Sequence, residues 1–512
     1  MNLVRRESAP SRFRSAAALL AMILWLAPSP DALALKNLVT APLTVTDVQN
    51  VIARAVTQAV QNNQAVTIAI SDREGNVLGV FIMTGAPINA TDADEINLNP
   101  AQLPDGALAS TTAIEKARTA AFLSSDQNAF STRTGGFIVM PHFPPNVADQ
   151  PQGPLFQLQF SQLPCGDVQE HGNGIIGDPG GIPLYKNKQI AGGIGVDGAS
   201  TDEDEIIALA GTSGPYSVPQ SITADNILLG GVRLLYVAQP LGKHFKPEPF
   251  ASLPGMVDPT HPIVPTPPTS FPLVTIGGAS GELRFPIIDS PMPGPTKLLA
   301  SDVSTIMTNS IRQALNTRAA IRLPIGVPAR MQVGVTDVDG NILGLFRTND
   351  ATMFSMDIVI QKARSVSVFS DPTQTLGQEI RQDLGVPVTS QIAFTTRTLG
   401  FLAQPFYPPG IDGTSPGPLN EIQQMLYSAH PTKPCEPNGN GVTLFPGSAP
   451  LYKDGVLVGG VGLSGDGVDQ DDFITAGGTP GYEPSDSIEA DQITFRGTPL
   501  PYLKFPRHPT LH

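Results

Sequence analysis

Two arginines of this chain stand in nearly the same company: Arg133 in Ser-Thr-Arg-Thr-Gly (131–135) and Arg397 in Thr-Thr-Arg-Thr-Leu (395–399). A guanidinium is a planar fork of donors, and flanking hydroxyls add more, so such a set can grip a carboxylate. The same set serves equally as a structural arginine tying a loop to the backbone, a use that fits the shared apolar neighbours Phe130 and Phe394. Acidic runs recur in register at 202–205 (Asp-Glu-Asp-Glu) and 469–472 (Asp-Gln-Asp-Asp). Their oxygens could hold Ca²⁺, although no EF-hand spacing is present. They also suit the opening turn of a helix, where carboxylates are favoured by the dipole and the free amides. Tyr185 and Tyr452 recur in Pro-Leu-Tyr-Lys, and each of the two cysteines, Cys165 and Cys435, precedes that tetrapeptide. The cysteines read as a structural pair, and a Cys165–Cys435 disulfide would suit an exported protein if the Cα atoms come within about 7 Å. Two buried thiols, or bonds between chains, are the alternatives. There is no His-Glu-x-x-His or Cys-x-x-Cys. The pairs Gly192-Gly193 and Gly459-Gly460 lead into Gly-x-Gly-x-x-Gly strings (193–198 and 460–465), but these lie within strand-like sequence rather than between a strand and a helix, and suit close packing against a sheet.

These recurrences are parts of one duplication. Ala129–Phe137 returns as Ala393–Phe401, and Ile182–Gly198 as Ala449–Gly465. The unit is far longer than the roughly 20–50 residues of a solenoid repeat, so each copy is a domain. We expect repeat one at 43–236, a Pro-rich linker at 237–297 and repeat two at 298–502. Each repeat opens on an amphipathic helix (Val48, Val51, Ile52, Val56; Val303, Ile306, Met307, Ala314) with Thr46 or Ser301 as the cap. A hairpin turning at Asp72-x-x-Gly75-Asn76 or Asp337-x-x-Gly340-Asn341 follows. Next come a helix sharing Lys-Ala-Arg (111–123 and 355–369), a second hairpin built on Pro-Leu-Tyr-Lys, and an acid-started helix (202–210 and 469–476). The expected fold class is α+β: two repeated domains, each an antiparallel sheet flanked by helices, arranged as a pseudo-two-fold dimer. The linker should be extended and semi-rigid. An insertion at 88–109, rich in Asp, Asn and Pro, reads as a surface loop.

The net charge of −14 repels phosphate backbones, so nucleic acid is not an expected partner. Arg5, Arg6, Arg12 and Arg14 precede an apolar run at 16–27 that contains Trp25, the single tryptophan, and then Ala32-Leu33-Ala34. This is the pattern of a signal peptide cleaved after Ala34; the run is short of the roughly 20 residues that span a bilayer. The expected product is periplasmic or secreted, with no stable membrane insertion after cleavage.

The order of helix, Asp-x-x-Gly-Asn hairpin, Lys-Ala-Arg helix, Pro-Leu-Tyr hairpin and Gly-Gly-[Ile/Val]-Gly strand resembles the GlcG/HbpS haem-binding family, a domain also found at the end of some cobalamin adenosyltransferases. The resemblance covers both repeats. It implies an antiparallel sheet flanked by helices, assembly into homo-oligomers and, from members that bind haem or iron, a haem or related tetrapyrrole as the small-molecule ligand. An opening-helix histidine, one position for an axial ligand, is absent from both copies, and His142 aligns with Phe406. If haem binds, His142, His171, Tyr185 and Tyr452 are the available ligands, and Arg133 and Arg397 the partners of its propionates. The alternatives are an enzyme acting on a small carboxylate-bearing organic substrate, with the arginine motif as anchor, and an accessory or structural protein.

Overall fold

A computed structural model describes residues 41–90, 107–158, 167–169, 175–238, 246–269, 271–420, 443 and 445–504. The segment 1–34, most of the insertion, His171, Cys165 and Cys435 lie outside the described residues.

In the first lobe the chain runs α1 (Val45–Gln61), β1 (Thr67–Asp72), β2 (Val77–Met83), α2 (Ala109–Leu123), α3 (Thr132–Ile138), β3 (Gly181–Lys186), β4 (Gln189–Asp197) and α4 (Thr201–Gly211). The linker supplies β5 (Gly255–Val257), β6 (Leu273–Ile276) and β7 (Ala279–Phe285). The second lobe repeats the plan as α5 (Ala300–Asn316), β8 (Met331–Asp337), β9 (Ile342–Thr348), α6 (Ser355–Ser370), α7 (Thr375–Asp383), α8 (Thr396–Leu402), β10 (Ser448–Lys453), β11 (Val456–Gly465) and α9 (Val468–Gly478). The sheets are antiparallel, in the orders β3-β4-β1-β2-β5 and β10-β11-β8-β9-β7-β6. The α+β class and the two repeated domains expected from the sequence are therefore present.

The linker departs from the expectation of a plain spacer. Its strands extend both sheets, β5 beside β2 and β7 beside β9. Pairing an outer strand removes an open edge that would otherwise invite association.

Strand alternation assigns the faces. Ile68 and Ile70 join Val51, Ile52 and Ile207 in a core under α1 and α4, whereas Ala69 and Val80 pack with Ala113 and Ile114 of α2. Helix α2 can lie so close because β4 is glycine-rich where it crosses: a Cβ on Gly193 would stand 2.1 Å from the Ala117 carbonyl oxygen. In the second lobe, a Cβ on Gly460 would meet the Ala363 oxygen of α6 at the same 2.1 Å. The second glycine of each pair is a packing device between sheet and helix, while a Cβ on the first, Gly192 or Gly459, would meet the neighbouring strand at Ser71 O or Thr336 O.

The helix caps differ from the sequence expectation. Thr44, not Thr46, caps α1: its hydroxyl accepts from the Asp47 amide at 3.2 Å, and the Asp47 carboxylate reaches back to the Thr44 amide at 2.8 Å. At α5, Ser301 sits inside the first turn, and Asp302 accepts from the Leu299 amide at 2.8 Å. The carboxylate three residues into the helix outcompetes a later hydroxyl because it also binds a lysine and a tyrosine. Lys186 and Tyr216 reach Asp47 at 2.7 and 2.8 Å, and Lys453 and Tyr482 reach Asp302 at the same two distances. This gives the lysine of Pro-Leu-Tyr-Lys its role.

Partial burial pushes the Asp47 carboxyl up, but hydrogen bonds from Lys186, Thr44 and Tyr216 outweigh it and hold it at about 2. A folded-state value below the unfolded one stabilises the fold above the unfolded value, and that contribution is lost as pH falls through about 2. Asp47→Asn should therefore cost about 1 kcal/mol near neutrality, the usual worth of a helix cap. The cost should shrink toward pH 2, as urea unfolding of both proteins at several pH values would show.

The lobes share a hydrophobic core. Phe122, Leu123 and Phe130 of the first cluster with Ile321, Phe354 and Ile358 of the second. Main-chain bonds cross at Leu323 N to Gln127 O (3.0 Å) and Phe354 N to Phe122 O (3.2 Å). Arg322, fully buried, reaches Asp350 at 2.7 Å, Asp466, and the Ser125 hydroxyl of the other lobe at 3.0 Å. Arg73 crosses to Asp350 at 2.9 Å.

Candidate functional site between the lobes

The threonine-rich motif opens a short helix in each lobe. Ser131 caps α3, accepting from the Thr134 amide at 3.1 Å, and Thr395 caps α8, accepting from the Thr398 amide at 3.2 Å. Thr134 and Thr398 donate at 2.6 Å to the carbonyls of Leu235 and Pro501, which fastens the end of each repeat to the motif. The arginine between them points to the acid-started helix. Arg133 holds Glu205 and Asp202, each at 2.7 Å, while Arg397 holds Asp472 and, at 3.0 Å, Asp469. The inner carboxylates also accept tail amides, Ala238 N on Glu205 at 2.6 Å and Lys504 N on Asp472 at 3.0 Å. Arginine motif and acidic run are thus two halves of one contact. Among the described residues, no group of three or more His, Cys, Asp or Glu side chains is arranged to hold a metal ion.

The outer part of this contact in the second lobe faces a cavity of about 670 Å³ between the lobes. That volume lies within the roughly 300–1,000 Å³ usual for small-molecule sites. One wall comes from the first lobe, with Phe143, Phe156 and Leu229; the other comes from α8 and its surroundings, with Phe401, Phe445 and Leu503. Arg397, Asp469 and Lys504 form its charged side. The Lys504 ammonium also pairs with Asp469, so two cations share that carboxylate, which is partly exposed.

Of the residues singled out from the sequence, Arg397 lines this cavity. Arg133 occupies the matching place in the first lobe. His142 holds Asp412 at 2.7 Å and stacks on Phe406, its own counterpart in the repeat, at 5.9 Å between ring centroids. Tyr185 is buried and donates to the carbonyls of Ser125 and Asn128 at 2.6 and 2.9 Å; burial, with Tyr236, Asp350 and Asp126 nearby, raises its pKa well above the ordinary value. Tyr452 is buried in an apolar cluster with Phe369 and Phe394, and its hydroxyl has no hydrogen-bond partner among the described residues. Burial pushes its pKa up too, Arg381 only partly opposing.

Sequence reasoning missed the lysines of Lys-Ala-Arg. Lys116 is fully buried, 3.1 Å from Asp197 and 3.3 Å from Asp204. Lys362, equally buried, is 2.9 Å from Asp471 and donates to the Leu463 carbonyl at 2.7 Å. A lysine amid alanines on a helix that packs on a sheet, present in both copies, was the available signal. Cavity residues such as Phe401 and Phe445 were unremarkable in sequence because the walls come together only across the lobes.

No helix among the described residues is long and apolar enough to cross a membrane. Among curated proteins the chain has no match. Among solved structures it is similar to PduOC in a heme complex, at 20% identity over 36% of this chain and 94% of that one, with a TM-score of 0.24. It is also similar to protein ORFY of Klebsiella pneumoniae, at 24% identity over 34% and 89% with a TM-score of 0.23. HbpS matches at 21% identity over 34% and 91%, with a TM-score of 0.22. The sequence profile of the family described as haem degrading protein HbpS-like matches residues 104–213 and 308–478, over half of the chain and one stretch in each lobe. The chain belongs to the HbpS-like family, whose domain it carries twice in tandem.

Proposed function

We propose that this is an exported binding protein for haem or a related tetrapyrrole, held in the cavity between the lobes. The observation that carries the reading is the cavity itself: aromatic side chains on both walls and two cations at one side. A tetrapyrrole is flat, apolar over its faces and carries carboxylates at one edge. Phe143, Phe156 and Phe401 would meet the ring. Arg397 and Lys504 would take a carboxylate in place of partly exposed Asp469, while buried Asp472 keeps the guanidinium aligned. The described lining residues include no His, Tyr, Cys or Met, the side chains that ligate haem iron. The residues present fit the ring and its carboxylates rather than the metal.

Hemin and metal-free protoporphyrin should therefore bind with similar affinity, followed by the Soret band and by porphyrin emission. Arg397→Gln should weaken both about tenfold, roughly the 1.4 kcal/mol of one charged hydrogen bond. Undiminished affinity in that variant would remove Arg397 from the site. Export is read from the N-terminal sequence, and intact-mass analysis of the exported protein should find it starting at Leu35; retention of residues 1–34 would count against cleavage.

A further inference from the structure

The two copies of the domain differ in charge around their buried lysine. In the first lobe, Lys116 faces Asp197 and Asp204, with Asp178 close enough to act on its charge. The aligned positions in the second lobe are Ser464, Asp471 and Phe445. Two of the three carboxylates have been replaced, one of them by an aromatic ring that stands 5.0 Å from the Lys362 ammonium.

Like Asp197 Oδ2 in the first lobe, the remaining carboxylate keeps one oxygen unpartnered among the described residues, but it also borders a recess. Asp471 is 3% exposed, uses Oδ2 for Lys362, and leaves Oδ1 without a hydrogen-bond partner among the described residues. It borders, with Ser464 and Phe354, a recess of about 30 Å³ that is otherwise apolar. The recess shares Pro154, Leu229 and Val468 with the large interlobe cavity. A space of that size takes one water or the tip of a larger molecule. An unpaired carboxylate oxygen at the inner end of an apolar cavity is costly unless it meets a donor.

We propose that Asp471, backed by Lys362, is a proton-exchanging anchor in the second lobe alone, taking an O–H (that of a protonated carboxyl included) or N–H at the tip of a ligand whose body fills the interlobe cavity. This rests on the cavity being the ligand site.

The electrostatics run the same way. Burial pushes the Asp471 carboxyl up to about 7, an effect that Lys362 only partly offsets and that Asp472 and Asp466 reinforce. Burial likewise lowers Lys362, opposed by Asp471 and Asp472. In the first lobe burial also disfavours the ammonium, but Asp204, Asp197 and Asp178 together raise Lys116 above its ordinary value. In the second lobe both partners are thus shifted toward their neutral forms, whereas the carboxylates of the first lobe hold Lys116 in its charged form.

Dicyclohexylcarbodiimide, an apolar reagent that adds to protonated carboxyl groups, probes this in the wild-type protein. The carboxyl proton and oxygen add across the C=N bond to give an O-acylisourea. A deprotonated Lys362 amine then displaces dicyclohexylurea, leaving an amide and a protein lighter by one water. Peptide mapping near pH 7 should find modification at Asp471, as the Lys362 amide or the rearranged N-acylurea, severalfold above that at Asp197 or Asp204, which do not border the recess. Asp471→Asn should remove this product. Equal labelling of the two lobes, or none at Asp471, would overturn the proposal. Hemin in the same reaction tests the cavity reading separately: labelling at Asp471 that hemin does not slow leaves the anchor standing and removes haem as its occupant.

Discussion

Replacing Arg322 by methionine should destabilise the protein by about 3–5 kcal/mol, the usual cost of removing one partner from a buried ion cluster. The guanidinium is the hub of the contact between the lobes, binding Asp466 through Nε, Asp350 through Nη1 and the Asp350 carbonyl through Nη2 at 2.7 Å. Burial disfavours its charge, but Asp466 and Asp350 outweigh burial and raise its pKa. Without it, Asp466 stays fully buried with no cation in contact, and Asp350 keeps Arg73 as its one cation, beside the Asp126 amide. The Ser125 hydroxyl also loses its tie across the lobes. Lysine should rescue little, because a single ammonium cannot span four acceptors set out for a planar fork. Combining Arg322→Met with Asp466→Asn should recover part of the loss, since the uncompensated charge goes with the carboxylate. Urea unfolding of the three variants measures this. A loss below about 1 kcal/mol would place the network among surface-like ion pairs.

Valine at Gly193 or Gly460 should be at least as damaging. At 2.1 Å from a helix carbonyl oxygen, the first side-chain carbon already overlaps backbone, which cannot turn aside as a flexible side chain does. The helix must lift from the sheet, and overpacking commonly costs about 1–3 kcal/mol, more where main chain has to move. Because α2 and α6 also carry Phe122 and Ile358 into the shared core, the damage should spread beyond the mutated lobe. Reduced soluble yield and a lowered melting temperature are expected for both variants. A native-like melting curve for either would contradict the packing account.

Much of the architecture was legible before any coordinates. The Asp-x-x-Gly-Asn turns, the helix periodicity and the repeated motifs are local signals, and the two lobes follow them closely. The linker strands were less visible because Pro-rich flanks hide them. Yet Gly277-Gly278 between Leu273–Ile276 and Ala279–Phe285 is a hairpin signature, and both glycines have positive φ. The caps were misread by two residues at α1 because the hydroxyl alone was weighed, without the carboxylate that completes the capping box. The site was legible in half. Arg397 stood out by composition, whereas Phe143, Phe156 and Lys504 become neighbours through contacts hundreds of residues apart. Lys362 and Asp471 were each seen, as part of a helix landmark and of an acidic run, but their pairing is a tertiary fact.

A tryptophan placed at Phe401 tests most directly whether haem enters between the lobes. With Trp25 changed to phenylalanine, Phe401→Trp is the single tryptophan, and its ring takes the place of a cavity wall. Haem bound there should quench its emission in step with the Soret change, with the same midpoint, and Arg397→Gln should move both midpoints together. A Soret change with unaltered tryptophan emission would put haem elsewhere on the molecule, and no Soret change at micromolar hemin would contradict tetrapyrrole binding itself.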